Sequence, residues 1–413
     1  MTDTTAGEVQ PEAPREVTHT RPSAGIPEVG ATAGAIADIA ADLARGTGPI
    51  AVDAERASGY RYGQRAYLLQ FNRTGSQVAL VDPTVPGTLD PLIAVCGSVP
   101  WLLHAATQDL PCLREAGFAP TDVLDTELAA KLLGRPKVGL AALLETDLDV
   151  VLAKEHSAVD WSTRPLPEEW LAYAALDVEF LQPLHDLLHA DLEQQQRLHW
   201  YDEERALLRD FTGPSPRPEP WRKTSGIHAL RDTKQLAIVR ALWEARDARA
   251  RELDVSPGRV LHDTVIIDIA RNQPQSKQAL AAMRPVHNRN ARKDSGYWWE
   301  ALAGAYALTG EQLPARKAGD GGLPQPRAWA SIRPEAAERW EAVRPVVVHT
   351  AEDHGIGAEV LVSPETIRRL CWEGFAVGQS QQTVADLLLG LGTRHWQTEL
   401  LSAPIAQRLQ HIA

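Results

Sequence analysis

The chain predicts an α/β fold, a mixed sheet flanked by helices, followed by all-helical modules. Three observations predict it. Short apolar runs with turn residues between them crowd residues 50–126, whereas apolar spacing is helical from Leu140 onward. A proline-rich stretch, Thr212 to Pro220, then separates one helical territory from the next.

Taken in order, Met1 to about Gly25 is rich in Thr, Pro, Glu and Ala and is expected to form a disordered tail. Ala31 to Leu43 has helical spacing with Thr32 as a cap, and Gly46-Thr47-Gly48-Pro49 stops it. Strands are expected at Ile50–Glu55, Tyr67–Phe71 and Val78–Val81, joined closely enough for an antiparallel meander. Leu89 to Val95 is a helix. Trp101–His104 is a fourth strand with a helix from Thr107 to Ala116, and Val123–Thr126 a fifth, with Thr126 capping a helix to Leu133. Residues 26–211 thus form one α/β domain, helical from Leu140 to about Phe211. Residues 212–220 are a linker, and 221–308 are a compact helical module. A second linker covers 309–330, and a last helical module covers 331–413 with helices at Glu335–Val343, Ala351–Gly355, Pro364–Cys371, Gln382–Leu391 and Trp396–Leu401.

Composition narrows the class. The 413 residues are 44% hydrophobic, ample for packed cores. No apolar run reaches the ~18 residues of a membrane span, and the N-terminus lacks a secretory pattern. Three scattered cysteines, Cys96, Cys112 and Cys371, suit neither a disulfide framework nor a zinc site. A soluble cytoplasmic protein is expected. The net charge of −12 argues against bulk coating of nucleic acid, yet residues 222–293 carry fifteen Lys or Arg against seven acids.

Three features carry chemistry. Asp53 and Glu55 lie at i and i+2 of a strand, so both project from one face, and two carboxylates held that close need a proton or a cation. Hard oxygen ligands suit Mg²⁺ or Mn²⁺. Alone, Asp-x-Glu is more often a solvated strand end. Asp109 follows the fourth strand at a helix start, where the helix dipole alone accounts for an acid. Tyr173 and Asp177 stand at i and i+4 within an apolar helix, as a hydrogen-bonded pair or as part of a site.

The constellation says more than its parts. Asp-x-Glu on a strand, Asp at a helix start and Tyr-x-x-x-Asp on a later helix resemble the DEDD exonuclease superfamily, tyrosine subgroup. The flanks resemble ribonuclease D: His104-Ala105, Lys137–Leu143, Asp160-Trp161 with Arg164-Pro165-Leu166, and Tyr173–Val178 with Leu181 and Pro183. Trp221-Arg222-Lys223 with the helix to Leu253 and Ser256-Pro257 resembles the nucleic-acid-binding HRDC domain, and the last module stands where the family carries a second HRDC-like domain. Only Ser58 to Arg65, rich in Gly and Arg, departs from the family pattern.

The resemblance implies a ribonuclease H-like fold and hydrolysis from the 3′ end with two divalent metal ions, Mg²⁺ or Mn²⁺. It assigns catalysis to Asp53, Glu55, Asp109, Tyr173 and Asp177, with the four acids as metal ligands. Asp53 would bridge the metals, Glu55 and Asp177 would complete the site of the attacking water, Asp109 would serve the second metal, and Tyr173 would orient the water. It implies RNA as partner, tRNA precursors and other structured 3′ ends, with no membrane and no obligate protein partner. Gln70, His104, Arg164, Arg222 and Lys223, with Arg61 and Arg65, are candidate nucleic-acid contacts. A DNA exonuclease on the same fold and a non-catalytic nucleic-acid-binding scaffold are the rival readings. Four acids facing one another beside a polyanion argue against the scaffold.

Overall fold

The computed structural model describes residues 19–152, 158–283, 294–316, 322–374 and 380–410. The expected meander is present as β2 (Thr47–Arg56), β3 (Ala66–Thr74) and β4 (Ala79–Val81), joined antiparallel. β5 (Trp101–Leu103) and β6 (Val123–Asp125) add parallel on the other side, and β1 (Val29–Gly30), not foreseen, pairs parallel with β4. The order β1-β4-β3-β2-β5-β6 puts β2 between two neighbours, in the interior of the sheet.

Alternation along β2 then assigns its faces. Ile50, Val52 and Ala54 join a core with Leu69, Phe71 and Trp101 under α1 (Ala33–Arg45), α2 (Asp90–Cys96) and α3 (Leu110–Glu115). Ala51 points the other way and packs with Leu102, Val178 and Leu181. Asp53 and Glu55 continue that second face, which is covered by α6 (Glu168–Glu179). The strand thus delivers both acids to the helix that carries Tyr173 and Asp177.

Several local expectations need correction. Asp125, not Thr126, caps α4 (Thr126–Leu132): its carboxylate accepts from the N–H groups of Glu127 and Leu128. The run from Leu140 is not continuously helical. α5 (Leu140–Asp147) ends well before α6, and the described part of the intervening segment is a loop that buries Trp161; α7 (Leu181–Gln194) and α8 (Leu198–Arg205) follow. Most of the expected tail, residues 1–18, lies outside the described residues. Residues 19–25 are not loose: the His19 N–H donates to the Val151 carbonyl at 3.1 Å, and the Ser23 N–H to the Glu179 carboxylate at 2.9 Å.

Beyond the linker, α9 (Thr233–Leu253), α10 (Pro257–Val260), α11 (Asp263–Asn272), α12 (Lys277–Ala281) and α13 (Ser295–Ala307) enclose their own core around Trp221, Leu242, Ile266, Trp298 and Leu302. α14 (Trp329–Ile332), α15 (Pro334–Asp353), α16 (Ala358–Leu361), α17 (Pro364–Glu373), α18 (Gln381–Gly390) and α19 (His395–Leu409) come last. α15 is one helix where two were expected. It runs through Pro345, since Val343 and Val347 on either side are buried and packing outweighs one lost hydrogen bond. These last helices do not close a core of their own. Leu132, Leu144, Leu188, Trp200 and Tyr201 of the α/β domain form one apolar cluster with Trp329, Val347, Leu370, Trp396 and Leu401.

Candidate active site

Four acids and one phenol meet at the C-terminal end of β2. One carboxylate oxygen from each of Asp53, Glu55 and Asp177 lies within 4.8 Å of the other two. The Asp53 and Asp109 carboxyls are close enough to share a proton. Asp109 sits at the start of α3, but its side chain caps no helix. It faces Asp53 and the Arg56 guanidinium, at 3.2 Å, so the dipole explanation does not account for it. One turn apart on α6, the Tyr173 hydroxyl donates to Asp177.

The electrostatics fit a cation site. Burial raises the carboxyls of Glu55, Asp109 and Asp177 well above the usual range, and the neighbouring acids, Asp53 foremost, raise them further. Asp53 itself is raised by burial, offset in part by the Ala54 N–H and the Arg56 charge. Acids that repel one another in a buried setting, with all donors hard oxygens, match a divalent cation of the Mg²⁺ or Ca²⁺ class and not a thiol-binding metal. Burial and then Asp177 also raise the Tyr173 phenol, which therefore stays protonated.

Two residues escaped the sequence reading. Asp125 is buried, and its two oxygens accept from the N–H groups of Ala105 at 3.1 Å and Ala106 at 2.8 Å as well as from α4. This clamp holds the turn leading to Asp109, in which Ala105 adopts a left-handed φ of 57°. An Asp before a predicted helix start was its available signal. Arg56 follows Glu55 directly. Strict alternation would turn it from the acids, but the β2–β3 register shifts between Glu55 and Arg56, and such irregularities re-aim side chains.

The expected substrate contacts fare differently. Gln70 stands opposite Asp53 across β2 and β3 but is fully buried, out of reach of RNA. Arg164 is committed to the scaffold: it donates to Asp82 and to the carbonyls of Tyr67, Trp161 and Thr163 at 2.7–2.9 Å. His104 is partly exposed, with Nδ1 2.9 Å from Thr126 Oγ1, and burial pulls its pKa to about 4, so it remains neutral and offers no charge to phosphate. Arg222 stacks on Trp221 at 4.3 Å and pairs with Glu219 at 2.6 Å, whereas Lys223 is exposed. Much of the basic surplus in this module is likewise paired: Arg246 with Asp263, Arg249 with Glu252 and Arg251 with Asp247. Residues 284–293 of that basic run lie outside the described residues.

The segment that departs from the family pattern has a clear place. Tyr62 donates to Asp247 at 3.0 Å and accepts from Arg251 at 2.9 Å. Ser256 and Arg259 donate to Gly59 and Tyr60 carbonyls at 2.8–3.0 Å, and the Arg259 guanidinium lies 4.1 Å over the Tyr60 ring. The loop that leaves the Asp-x-Glu strand thus docks the second module.

Comparison with known proteins agrees with this layout. A family profile described as 3′-5′ exonuclease matches residues 31–193, one described as HRDC domain matches 235–302, and one described as 3′ to 5′ exonuclease C-terminal domain matches 322–409. Ribonuclease D of Gluconacetobacter diazotrophicus is 32% identical over 305 residues, 72% of this chain and 74% of that protein. The chain belongs to the ribonuclease D family. Ribonuclease D proteins are hydrolytic 3′-to-5′ exoribonucleases, and this chain shares their fold and domain set. The crystal structure of a protein from Bifidobacterium adolescentis matches with TM-score 0.86 at 35% identity, covering 95% of this chain and 99% of that one. Escherichia coli RNase D, described as an exoribonuclease involved in structured RNA processing, matches with TM-score 0.68 at 25% identity over 94% and 99% of the two chains. Among the described residues no helix is long and apolar enough to cross a membrane.

Proposed function

We propose that this ribonuclease D-family chain trims the 3′ ends of tRNA precursors and other structured RNAs, with Asp53, Glu55, Asp109, Tyr173 and Asp177 as its catalytic set. The convergence of four acids and a protonated phenol at one strand end carries the reading. Asp53, Glu55 and Asp177 would hold one divalent cation, Mg²⁺ or Mn²⁺, and Asp109 with Asp53 a second. Bound there, such ions supply positive charge to the phosphate and acidify the attacking water.

The chain's own groups do the rest. Tyr173 has too high a pKa to serve as base, so its hydroxyl orients the water by hydrogen bonding. The water oxygen joins phosphorus as the P–O3′ bond breaks, and a 5′-nucleotide leaves. The Asp125 clamp keeps Asp109 in place during the exchange. We assign residues 26–211 to the exonuclease domain, 221–308 to the HRDC domain and 331–413 to the C-terminal helical domain. The three cysteines are free and buried, which suits a cytoplasmic setting; the reading calls for no obligate protein partner.

The test is Asp53→Asn assayed beside the wild type on matched RNA and DNA ladders with Mg²⁺. RNA shortened from the 3′ end by the wild type, and bound but uncut by the variant, supports the reading. A variant that cuts at the wild-type rate removes the assigned site, and preferential shortening of DNA replaces RNA as the substrate.

A further inference from the structure

The four acids have one basic neighbour in ion-pair contact among the described residues, and it has no place in the catalytic set above. Arg56 closes β2 immediately after Glu55. Its Nη1 donates to the Gln108 carbonyl at 2.7 Å and its Nη2 lies 3.2 Å from Asp109 Oδ1. The side chain is 26% exposed while that of Asp109 is 7% exposed, so the guanidinium stands between the buried acids and solvent. Its field also reaches Asp53 and Glu55.

We propose that Arg56 is a catalytic cation: anchored on Gln108, it neutralises Asp109 in the resting enzyme and turns its free N–H groups to the scissile phosphate when RNA enters. This deepens the exonuclease reading and rests on it. The cleft gathers four acids around one guanidinium, and the substrate is itself an anion. A phosphate reaching this cleft meets a planar donor whose geometry fits two of its oxygens. Charge grows on those oxygens as water attacks, so a donor fixed beside them stabilises the transition state more than the bound substrate. The same arrangement makes the guanidinium a competitor for Asp109. With Arg56 in place, a cation at Asp109 must displace a formed ion pair, so that position is weak until substrate draws the arginine away.

The experiment uses the full chain with Arg56→Gln and Arg56→Lys. Single-turnover and steady-state rates are measured on a short RNA, and MgCl₂ is titrated calorimetrically into each RNA-free protein. The expected result for Arg56→Gln is a kcat lower by about 100-fold or more with KM nearly unchanged. Mg²⁺ binding without RNA should hold or tighten, by roughly 3- to 10-fold once a competing charge is gone. Arg56→Lys should recover part of kcat by keeping the charge without the planar fork. Two results overturn the proposal: an unchanged kcat, or Mg²⁺ binding that weakens in step with kcat, which would make Arg56 only a seat for Asp109. Should Arg56→Gln fail to fold, Arg56→Lys carries the same readouts, with kcat reduced and Mg²⁺ binding held as the supporting pair. Failure of the exonuclease reading is distinguishable, because it appears as a wild-type chain that shortens no RNA.

Discussion

The two helical modules attached to the α/β domain are joined to it by opposite means. The last one, α14 to α19, shares an apolar cluster with α4, α5, α7 and α8, and Trp200 stacks on Trp396 at 4.6 Å between centroids. Around the stack, Glu204 accepts from Arg394 at 2.8 Å and from Trp396 Nε1 at 3.1 Å. The HRDC domain instead has a closed core, and its docking rests largely on hydroxyl, guanidinium and carbonyl contacts from one loop, with Tyr62 at the rim. Apolar burial scales with area and is lost all at once, whereas polar contacts exchange with water at small net cost. The first junction therefore makes one folding unit, and the second makes a placement.

Four measurements test that contrast. Trp396→Ala should have the largest effect, about 3–5 kcal/mol, because it opens a cavity in the shared core. In a denaturant titration the α/β domain should unfold with α14–α19, while the HRDC transition stays where it was. A separate midpoint for α14–α19 would contradict a shared unit.

Acid should act on the catalytic unit through His104. Its folded pKa near 4 lies below the ordinary 6.5, so below that ordinary value the unfolded chain gains a proton that the folded chain refuses. Stability is lost as pH falls through this window. Relative to His104→Gln, the wild type should lose about 2–3 kcal/mol between neutrality and roughly pH 4.5. Parallel melting curves for the two proteins across that range would refute the assignment.

The carboxylate cluster should respond in the opposite sense. Asp177 has a raised folded pKa, so its contribution is most favourable below its ordinary pKa and is lost as pH rises through the folded value. Asp177→Asn should therefore stabilise the metal-free protein at alkaline pH, with the gain fading on acidification. Added Mg²⁺ should raise the melting temperature of the wild type and leave the variant nearly unmoved. The smallest change belongs to the docking loop. Tyr62→Phe should cost less than about 1 kcal/mol in global stability, yet speed proteolysis in the linker at residues 212–220 and lower activity on long RNA more than on a short oligomer.

Much of this was legible in the sequence. Every strand of the meander follows from apolar runs and turn residues, while the five catalytic candidates follow from the order of acids along the chain taken together with the family resemblance. What escaped depends on the third dimension. The helix expected at Glu335–Val343 runs on to Asp353, because the burial of Val343 and Val347 that carries α15 through Pro345 is not visible in sequence. Arg56 obeys no strand rule because a register shift re-aims it. Gln70 and Arg164 looked available for RNA since the sequence shows polarity and not exposure. The sequence points to Thr126 as the cap that Asp125 supplies, and that one-residue difference conceals the clamp on the Asp109 turn.

The shared core also sets a birth order. A chain leaves the ribosome N-terminus first and its domains fold as units. The apolar faces of α4, α5, α7 and α8 meet their full cover only when residues 329–409 have emerged, a segment that begins 124 residues after α8 ends and closes 204 residues after it. The HRDC domain, encoded between them, can close around Trp221 and Trp298 in the meantime. The module that cuts is thus begun first and finished last.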